Sequence, residues 1–229
     1  MVLLPGLDGT EIFFRPLLTV LPDWIKPVVV TFPISGANGY SDLLEVVEAA
    51  IVDLRRFYVP GWSFSGPLAL TIAGKHPTRI RGVILCASFV RPPLRALSWL
   101  KFVTAVPVVY LLRVARRTPL FLAGDSAHSL RRDKRATWNR VPSMILAARA
   151  RAILTLDARE CLRACPCPVL YLAGSRDRVV PGRNAREVIR ESPPSTKVVT
   201  LDGPHLALYT NPGAAAHAIA DFMRNLEMA

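Results

Sequence analysis

The stretch GWSFSG, residues 61–66, decides the fold, because it joins an apolar segment to an apolar helix through a turn of small residues. Residues 56–59 predict a short strand before the turn, and residues 67–73 predict a buried helix after it. A serine at such a strand-turn-helix corner presents its hydroxyl at the edge of a parallel sheet. Ser63 is therefore a candidate nucleophile; the competing interpretation is an ordinary turn.

The residues around Ser63 depart in one place from the G-x-S-x-G pattern of this corner. Small residues are needed on both sides of the serine because the turn brings backbone segments close together. Gly61 fills the first position, Ser65 stands where a second glycine is usual, and Gly66 follows it. We expect the short side chain of Ser65 to fit there.

A serine hydroxyl is a weak nucleophile and needs a neighbouring base. Of the four histidines in the chain, His205 follows the last predicted strand, so its loop opens at the same sheet edge as Ser63. His76 ends the helix after the turn, His128 lies in a basic segment, and His217 lies in the final predicted helix. We therefore predict that His205 is the base.

The base in turn needs a carboxylate to orient it. Asp177 follows a predicted strand in the segment GSRDRVVP, and the order Ser63, Asp177, His205 is the nucleophile, acid and base order of serine hydrolases built on an α/β sheet. Asp202 and Asp157 are rival acids. A turn residue paired with a neighbouring arginine is the alternative interpretation of Asp177.

Acyl transfer also requires hydrogen-bond donors for the oxyanion. We predict the backbone N–H groups of Phe64, directly after the nucleophile, and of Leu7, in the glycine-containing loop after the first strand. A glycine-rich loop can also hold phosphate, but this one lacks the Lys-Ser/Thr of a P-loop and the spacing of a dinucleotide fingerprint. No cofactor is expected.

Strands and helices alternate along most of the chain. Further strands are predicted at residues 2–4, 27–32, 82–86, 168–173 and 197–201, with helices at 41–54 and 214–226. This alternation is typical of an α/β domain with a mostly parallel sheet of about six strands, flanked by helices. We expect residues 1–229 to form a single domain.

The segment from about residue 90 to 155 interrupts the alternation. It is rich in arginine and proline and too long for a simple loop, so we predict a helical cap over the sheet edge where open α/β sheets bind ligands. Residues 99–112 within it are densely apolar; they either pack the cap onto the sheet or line an acyl-chain entrance. The pairs Arg116-Arg117 and Arg131-Arg132 are expected to face water.

The formal net charge of +12 raises the question of an anionic partner. A strongly positive net charge can indicate binding to nucleic acid or to an anionic membrane. The sequence, however, contains no basic motif with interspersed aromatic residues and no nucleic-acid-binding module. We predict a solvated basic surface with no nucleic-acid partner, and at most a weak contact between the basic cap and an anionic surface.

The four cysteines are Cys86, Cys161, Cys165 and Cys167. The last three lack the paired spacing of a zinc site, so we expect reduced thiols and no metal. The N-terminal residues do not resemble a signal peptide, and the longest apolar run is shorter than the ~20 residues of a membrane-spanning helix. The sequence therefore predicts a cytoplasmic protein.

Four segments together resemble the α/β-hydrolase superfamily, and in particular its small bacterial esterase-like members. LLPGLDGT (3–10) resembles the oxyanion loop, GWSFSGPLAL (61–70) the nucleophile turn, GSRDRVVP (174–181) the acid loop and GPHLAL (203–208) the histidine loop. The resemblance implies a family sheet of eight strands. This sequence begins at the third of them, so the resemblance implies about six, all parallel, with a cap where residues 90–155 lie.

The predicted function is hydrolysis of carboxylic esters with short-to-medium acyl chains, through a Ser-His-Asp triad and an acyl-enzyme. The alternatives are a thioesterase or acyltransferase with the same triad, whose basic cap would meet the phosphates of CoA or of an acyl carrier protein, and a non-catalytic binding protein of the same fold. A dehalogenase is disfavoured because Ser63, not aspartate, stands at the turn. The sequence leaves the oligomeric state open.

Overall fold

The computed structural model describes residues 1–93 and 127–228. Six strands lie within these residues: Val2–Leu3 (β1), Val28–Val29 (β2), Phe57–Trp62 (β3), Ile80–Cys86 (β4), Val169–Gly174 (β5) and Lys197–Leu201 (β6). They form a two-stranded sheet, β1-β2, and a four-stranded sheet, β3-β4-β5-β6, in which every pair is parallel.

An isolated bridge between Leu4 and Gly61 connects the two sheets. The Leu4 N–H donates to the Pro60 carbonyl at 2.9 Å, and the Trp62 N–H donates to the Leu4 carbonyl at 3.1 Å. The strands therefore follow one another in the order β2-β1-β3-β4-β5-β6. The parallel α/β architecture is confirmed, but the predicted single sheet of about six strands is divided into two and four, because Pro60 of β3 has no N–H to donate to β1 and the pairing of these two strands is limited to the bridge at Leu4.

Helices pack on both faces of the strands. In chain order, those in the described residues are Arg15–Leu18 (α1), Tyr40–Ala50 (α2), Gly66–Lys75 (α3), Ala127–Arg140 (α4), Ser143–Leu154 (α5), Arg159–Arg163 (α6), Gly182–Glu191 (α7), Ala207–Thr210 (α8) and Pro212–Glu227 (α9), with 3₁₀ turns at Ile12–Phe14 and Ser63–Ser65. None of these helices is long and apolar enough to cross a membrane.

Alternate residues of the central strands contribute to two separate cores. In β4, Val83 and Leu85 pack into the core beneath α2 and α3, while Ile84 and Cys86 pack into the core beneath α1 and α9. This is the pattern of a parallel sheet covered on both faces, in which neighbouring side chains point in opposite directions and both are buried. The two cores hold the strand ends in fixed positions.

The order of the strands places the functional loops. The chain runs from β1 to β2 on one side and then returns to β3 on the other, so β1 and β3 flank a topological switch point. Ligands of open α/β sheets bind in the crevice at the carboxyl ends of such strands. The segments after β1 and β3 carry the predicted oxyanion loop and nucleophile turn.

Two helices, α4 and α5, lie in the C-terminal part of the segment predicted to form the cap. Residues 94–126, including the apolar stretch 99–112 and the pair Arg116-Arg117, lie outside the described residues. The limits of the cap, and the single-domain organisation, stay predictions. Arg131 and Arg132 on α4 are exposed to solvent, as expected.

Candidate active site

The turn after β3 holds Ser63 in an unusual backbone conformation. Its φ of 52° lies in the left-handed region, which costs a non-glycine residue about 1–3 kcal/mol and persists only where the surrounding structure enforces it. A Cβ on Gly61 would lie 2.5 Å from the carbonyl oxygen of Ser65 and 2.9 Å from the Cβ of Ala69. Glycine is therefore required there for β3 to meet the start of α3.

Ser65 and Gly66 account for the departure from the usual pattern. Ser65 is fully buried, and its hydroxyl donates a hydrogen bond to the carbonyl of Pro5 in the loop after β1. The close approach falls instead at Gly66, where a Cβ would lie 1.8 Å from the Oγ of Ser88. The Ser88 hydroxyl donates to the Ser63 carbonyl at 2.7 Å and holds the turn from the end of β4.

Ser63, His205 and Asp177 lie in one hydrogen-bonded chain. The Oγ of Ser63 is 2.9 Å from Nε2 of His205, and Nδ1 of His205 is 2.8 Å from Oδ2 of Asp177. The histidine comes from the loop after β6 and the aspartate from the loop after β5, at the same edge of the sheet as Ser63. The structure thus brings together all three predicted residues.

The carboxylate of Asp177 has no orientational freedom. Its Oδ1 accepts the N–H groups of Val179 at 2.8 Å and Val180 at 2.9 Å, so Oδ2 faces His205. An ionised carboxylate only accepts hydrogen bonds, which requires the proton of a neutral His205 to reside on Nδ1. Nε2 is then the acceptor for the Ser63 hydroxyl, as a general base must be.

The rival acids have other partners. The side chain of Asp202 is 74% exposed; it pairs with Arg176 at 3.3 Å and accepts the Ser175 hydroxyl at 3.0 Å. Asp157 pairs with Arg159 at 2.7 Å. By contrast, the Asp177 side chain is only 7% exposed.

The other histidines also lie away from this chain of hydrogen bonds. Nε2 of His76 is 2.6 Å from Glu48, at the end of α3. Nε2 of His217 is 3.1 Å from Asp221 on α9. His128 is exposed on α4.

The two predicted oxyanion donors belong to segments that are bonded to each other. Phe64 lies in the first turn of the 3₁₀ helix, where N–H groups have no partner within the helix. Leu7 lies in the loop whose Pro5 carbonyl accepts the Ser65 hydroxyl. The peptide that carries the Phe64 N–H is held by the Ser88 hydroxyl through the Ser63 carbonyl, and the next peptide is held by the Tyr40 hydroxyl, which donates to the Phe64 carbonyl at 2.9 Å.

Arg149 on α5 is a residue of the site that the sequence interpretation missed. It is 0% exposed, and its guanidinium donates to the carbonyls of Leu7 and Pro33 and to Oδ1 of Asn38. Burial lowers its pKa to about 10, although the nearby Asp8 carboxylate opposes this. Burial likewise raises the pKa of Asp8.

The helical periodicity of α5 carried a signal for Arg149. It follows Ile145 by four residues and Leu146 by three, so it lies on the same buried face of the helix. Arg151, two residues further on, is exposed. An arginine in line with an apolar stripe indicates a buried, multiply bonded guanidinium.

No group of three or more His, Cys, Asp or Glu side chains within residues 1–93 and 127–228 is arranged to hold a metal ion. The four cysteines are free thiols, and the Sγ atoms of Cys165 and Cys167 are 3.8 Å apart.

Comparison with known proteins identifies the family. The family model described as alpha/beta hydrolase fold matches residues 38–212, which is more than half of the chain. The chain therefore belongs to the α/β-hydrolase family, and the predicted resemblance is confirmed.

Curated relatives and solved structures resemble the chain over nearly its whole length. It is 26% identical to a putative carbamate hydrolase RutD of Caulobacter sp. (strain K31), covering 97% of this chain and 90% of the relative. It is 29% identical to a pimeloyl-[acyl-carrier protein] methyl ester esterase of Yersinia enterocolitica, covering 82% and 76%. The structure of a thermophilic esterase from Thermogutta terrifontis superposes with a TM-score of 0.83 at 20% identity, covering 98% and 89%, and supports the fold alone.

Proposed function

We propose that this chain is a carboxylic ester hydrolase in which Ser63 is the nucleophile, His205 the base and Asp177 the acid that orients it. The observation that carries the proposal is the continuous pair of contacts, 2.9 Å and 2.8 Å, from Ser63 Oγ through the imidazole to the carboxylate. A serine and a base within hydrogen-bond reach, with the base held by a third group, is the arrangement of an activated nucleophile. Relatives whose names describe esterases and a hydrolase support it.

The reaction follows from these positions. Ser63 Oγ attacks the ester carbonyl while its proton passes to Nε2 of His205, and the new imidazolium is stabilised by Asp177. The N–H groups of Phe64 and Leu7 stabilise the oxyanion, which is usually the largest electrostatic contribution. His205 then protonates the leaving alcohol, and the same base activates water to release the acid from the acyl-enzyme.

The proposed preference for short-to-medium acyl chains rests on the sequence. Each CH₂ of an acyl chain that is buried gains about 0.8 kcal/mol, so two more methylenes favour a substrate by roughly tenfold until the pocket is full. The apolar residues 99–112, which lie outside the described part of the chain, are proposed to supply that pocket. The cytoplasmic location remains part of the proposal, in keeping with four free thiols.

Labelling with a fluorophosphonate tests the nucleophile, because this reagent phosphonylates only an activated serine. We expect one adduct, mapped by peptide mass to Ser63, and its loss in Ser63→Ala and His205→Ala. Ser65→Ala is the matched serine variant: it loses the hydrogen bond to Pro5 and should be less stable, but it keeps Ser63, so the folded protein should still be labelled there. An adduct on Ser65, or full esterase activity in Ser63→Ala, would refute the assignment.

A second candidate function is hydrolysis or transfer of acyl groups borne on CoA or an acyl carrier protein. Exposed Arg131, Arg132 and Arg135 on α4 favour it, because positive charge on the surface of the cap would attract a phosphate-bearing substrate. The names of two relatives describe methyl ester esterases whose substrate is borne on an acyl carrier protein, which supports a carrier-bound substrate but not cleavage of its thioester. A rate enhancement for acyl-CoA over a matched simple ester that disappears at high salt would favour this candidate.

A further inference from the structure

The loop after β1 is held by its carbonyl groups. The Pro5 carbonyl accepts the hydroxyl of Ser65, the Gly6 carbonyl accepts the Gly9 N–H at 3.0 Å, and the Gly9 carbonyl accepts the Phe32 N–H at 2.8 Å. These partners belong to the nucleophile turn, to the loop itself and to the segment after β2. The carbonyl of Leu7 differs, because its partner comes from the cap helix α5.

That partner is Nη1 of Arg149, at 3.0 Å from the Leu7 oxygen. The other guanidinium nitrogens donate to Oδ1 of Asn38, from Nε at 2.9 Å and Nη2 at 2.8 Å, and to the Pro33 carbonyl at 2.8 Å. The Arg149 guanidinium also lies over the ring of Phe32, with its Cζ 5.4 Å from the ring centroid. A planar guanidinium with donors in a rigid fork can satisfy these acceptors at once, which an ammonium group cannot.

Gly9 shows how closely the arginine is fitted to the loop. Its φ is 71°, and a Cβ there would lie 2.3 Å from Nη1 of Arg149 and 2.8 Å from the Cβ of Phe32. The loop thus turns through a conformation that favours glycine and leaves the space that the guanidinium fills. A buried charge whose partners are all fixed has little freedom to move, so it holds the peptide that it contacts.

We infer that Arg149 is a positioning residue for the oxyanion hole: from the cap it holds the Leu7–Asp8 peptide through the Leu7 carbonyl, and so limits rotation about the Leu7 Cα of the preceding Gly6–Leu7 peptide, whose N–H faces the reacting carbonyl. The inference rests on the proposed function, in which Leu7 supplies one of the two oxyanion donors. The position of α5 then affects the rate of the reaction, because displacing this helix removes the Arg149 contact that helps to position the Leu7 N–H.

The test compares Arg149→Met and Arg149→Lys with wild type, and uses Arg151→Ala as the matched control on the exposed face of the same helix. Active sites are first counted by phosphonate titration, so that misfolded protein does not enter kcat. An aryl butyrate then gives kcat and KM. A trifluoromethyl ketone, which adds the serine oxygen to its carbonyl and forms an oxyanion, gives an inhibition constant.

We expect Arg149→Met to lower kcat per titrated site by roughly 10- to 1,000-fold, the upper figure being the loss of a whole oxyanion donor. KM should change little, and the inhibition constant of the ketone should rise by about the same factor as kcat falls, because both report stabilisation of the oxyanion. Arg149→Lys should fall between wild type and Arg149→Met. Arg151→Ala should match wild type.

If Arg149 only stabilises the fold and does not position the oxyanion hole, the measurements give a different result. Fewer titratable sites and a lower melting temperature, with kcat per site and ketone affinity within about twofold of wild type, would overturn the inference. If Arg149→Met does not fold, Asn38→Ser loosens the same guanidinium without changing it and should show the same parallel change on a smaller scale. Wild-type protein without Ser63 labelling or esterase activity would instead refute the proposed function itself.

Discussion

Replacing Asp177 by asparagine should inactivate the enzyme while leaving its shape almost unchanged. The structure fixes the orientation of the new amide: the N–H groups of Val179 and Val180, at 2.8 Å and 2.9 Å, need an acceptor, so the amide oxygen must face them. The NH₂ group is then directed at Nδ1 of His205, where the carboxylate oxygen stood at 2.8 Å. A donor in that place forces Nδ1 to be the acceptor and moves the proton to Nε2.

The consequence is a histidine in the wrong tautomer. Nε2 now carries a proton and cannot accept one from Ser63, so we expect kcat to fall by about 10⁴-fold, as for the equivalent change in other serine hydrolases. At 1.36 kcal/mol for each factor of ten, this corresponds to about 5 kcal/mol of lost transition-state stabilisation. The change in KM should be small, because Asp177 contacts the base and not the substrate.

The assay is hydrolysis of an aryl butyrate by Asp177→Asn, with the melting temperature measured in parallel. Asp202→Asn is the matched control, since Asp202 lies three residues before His205 but is paired with Arg176 on the exposed surface. It should retain near wild-type kcat. A loss of less than about tenfold in Asp177→Asn, or an equal loss in both variants, would show that the acid has been assigned wrongly.

Three further predictions concern the turn and the cap. Gly61→Ala should lower the free energy of unfolding, measured by urea denaturation, by about 1–3 kcal/mol, because the new Cβ would lie 2.5 Å from the carbonyl oxygen of Ser65. The control is Gly74→Ala on α3, where a Cβ has open space, and it should be neutral or stabilising. Ser65→Ala leaves the Pro5 carbonyl without its partner, so it should lower the same free energy by about 1–3 kcal/mol, and an unchanged midpoint would contradict this. Across aryl esters from acetate to palmitate, kcat/KM should rise to butyrate or octanoate, whereas a steady fall from acetate onward would exclude an apolar acyl pocket.

The sequence could predict the residues whose chemistry and chain order are constrained together. Ser63, Asp177 and His205 each follow an apolar strand, and parallel strands bring such loops to one edge, so the structure shows them within hydrogen-bond distance. The role of Arg149 was missed because it depends on contacts with residues more than 100 positions earlier in the chain, and no local sequence pattern indicates such contacts.

Two local structures also differed from expectation for physical reasons. Helix α7, Gly182–Glu191, was not predicted because it has only three apolar residues, Ala185, Val188 and Ile189, among charged ones, and polar Asn184 and Glu187 occupy part of its buried face. Strand β2 was predicted over residues 27–32 but pairs regularly only at Val28–Val29. Beyond it, Phe32 is buried by packing, and its N–H donates to Gly9 in the loop.

The helices of the cap that the structure describes are joined to the sheet domain at points next to the proposed catalytic groups. Arg149 on α5 contacts Leu7. The Tyr209 hydroxyl, four residues after His205, donates to the buried Asp133 of α4 at 2.8 Å. Arg140 pairs with Glu11 at 2.9 Å, just beyond the same loop.

These contacts are unequal in energy. The exposed Arg140–Glu11 pair contributes about 0–1 kcal/mol, whereas losing a buried hydrogen bond to a charged group costs about 1–3 kcal/mol. The two buried contacts therefore determine how α4 and α5 are seated, and one of them lies on the loop proposed to stabilise the oxyanion. Substitutions at this interface should consequently change kcat as well as stability.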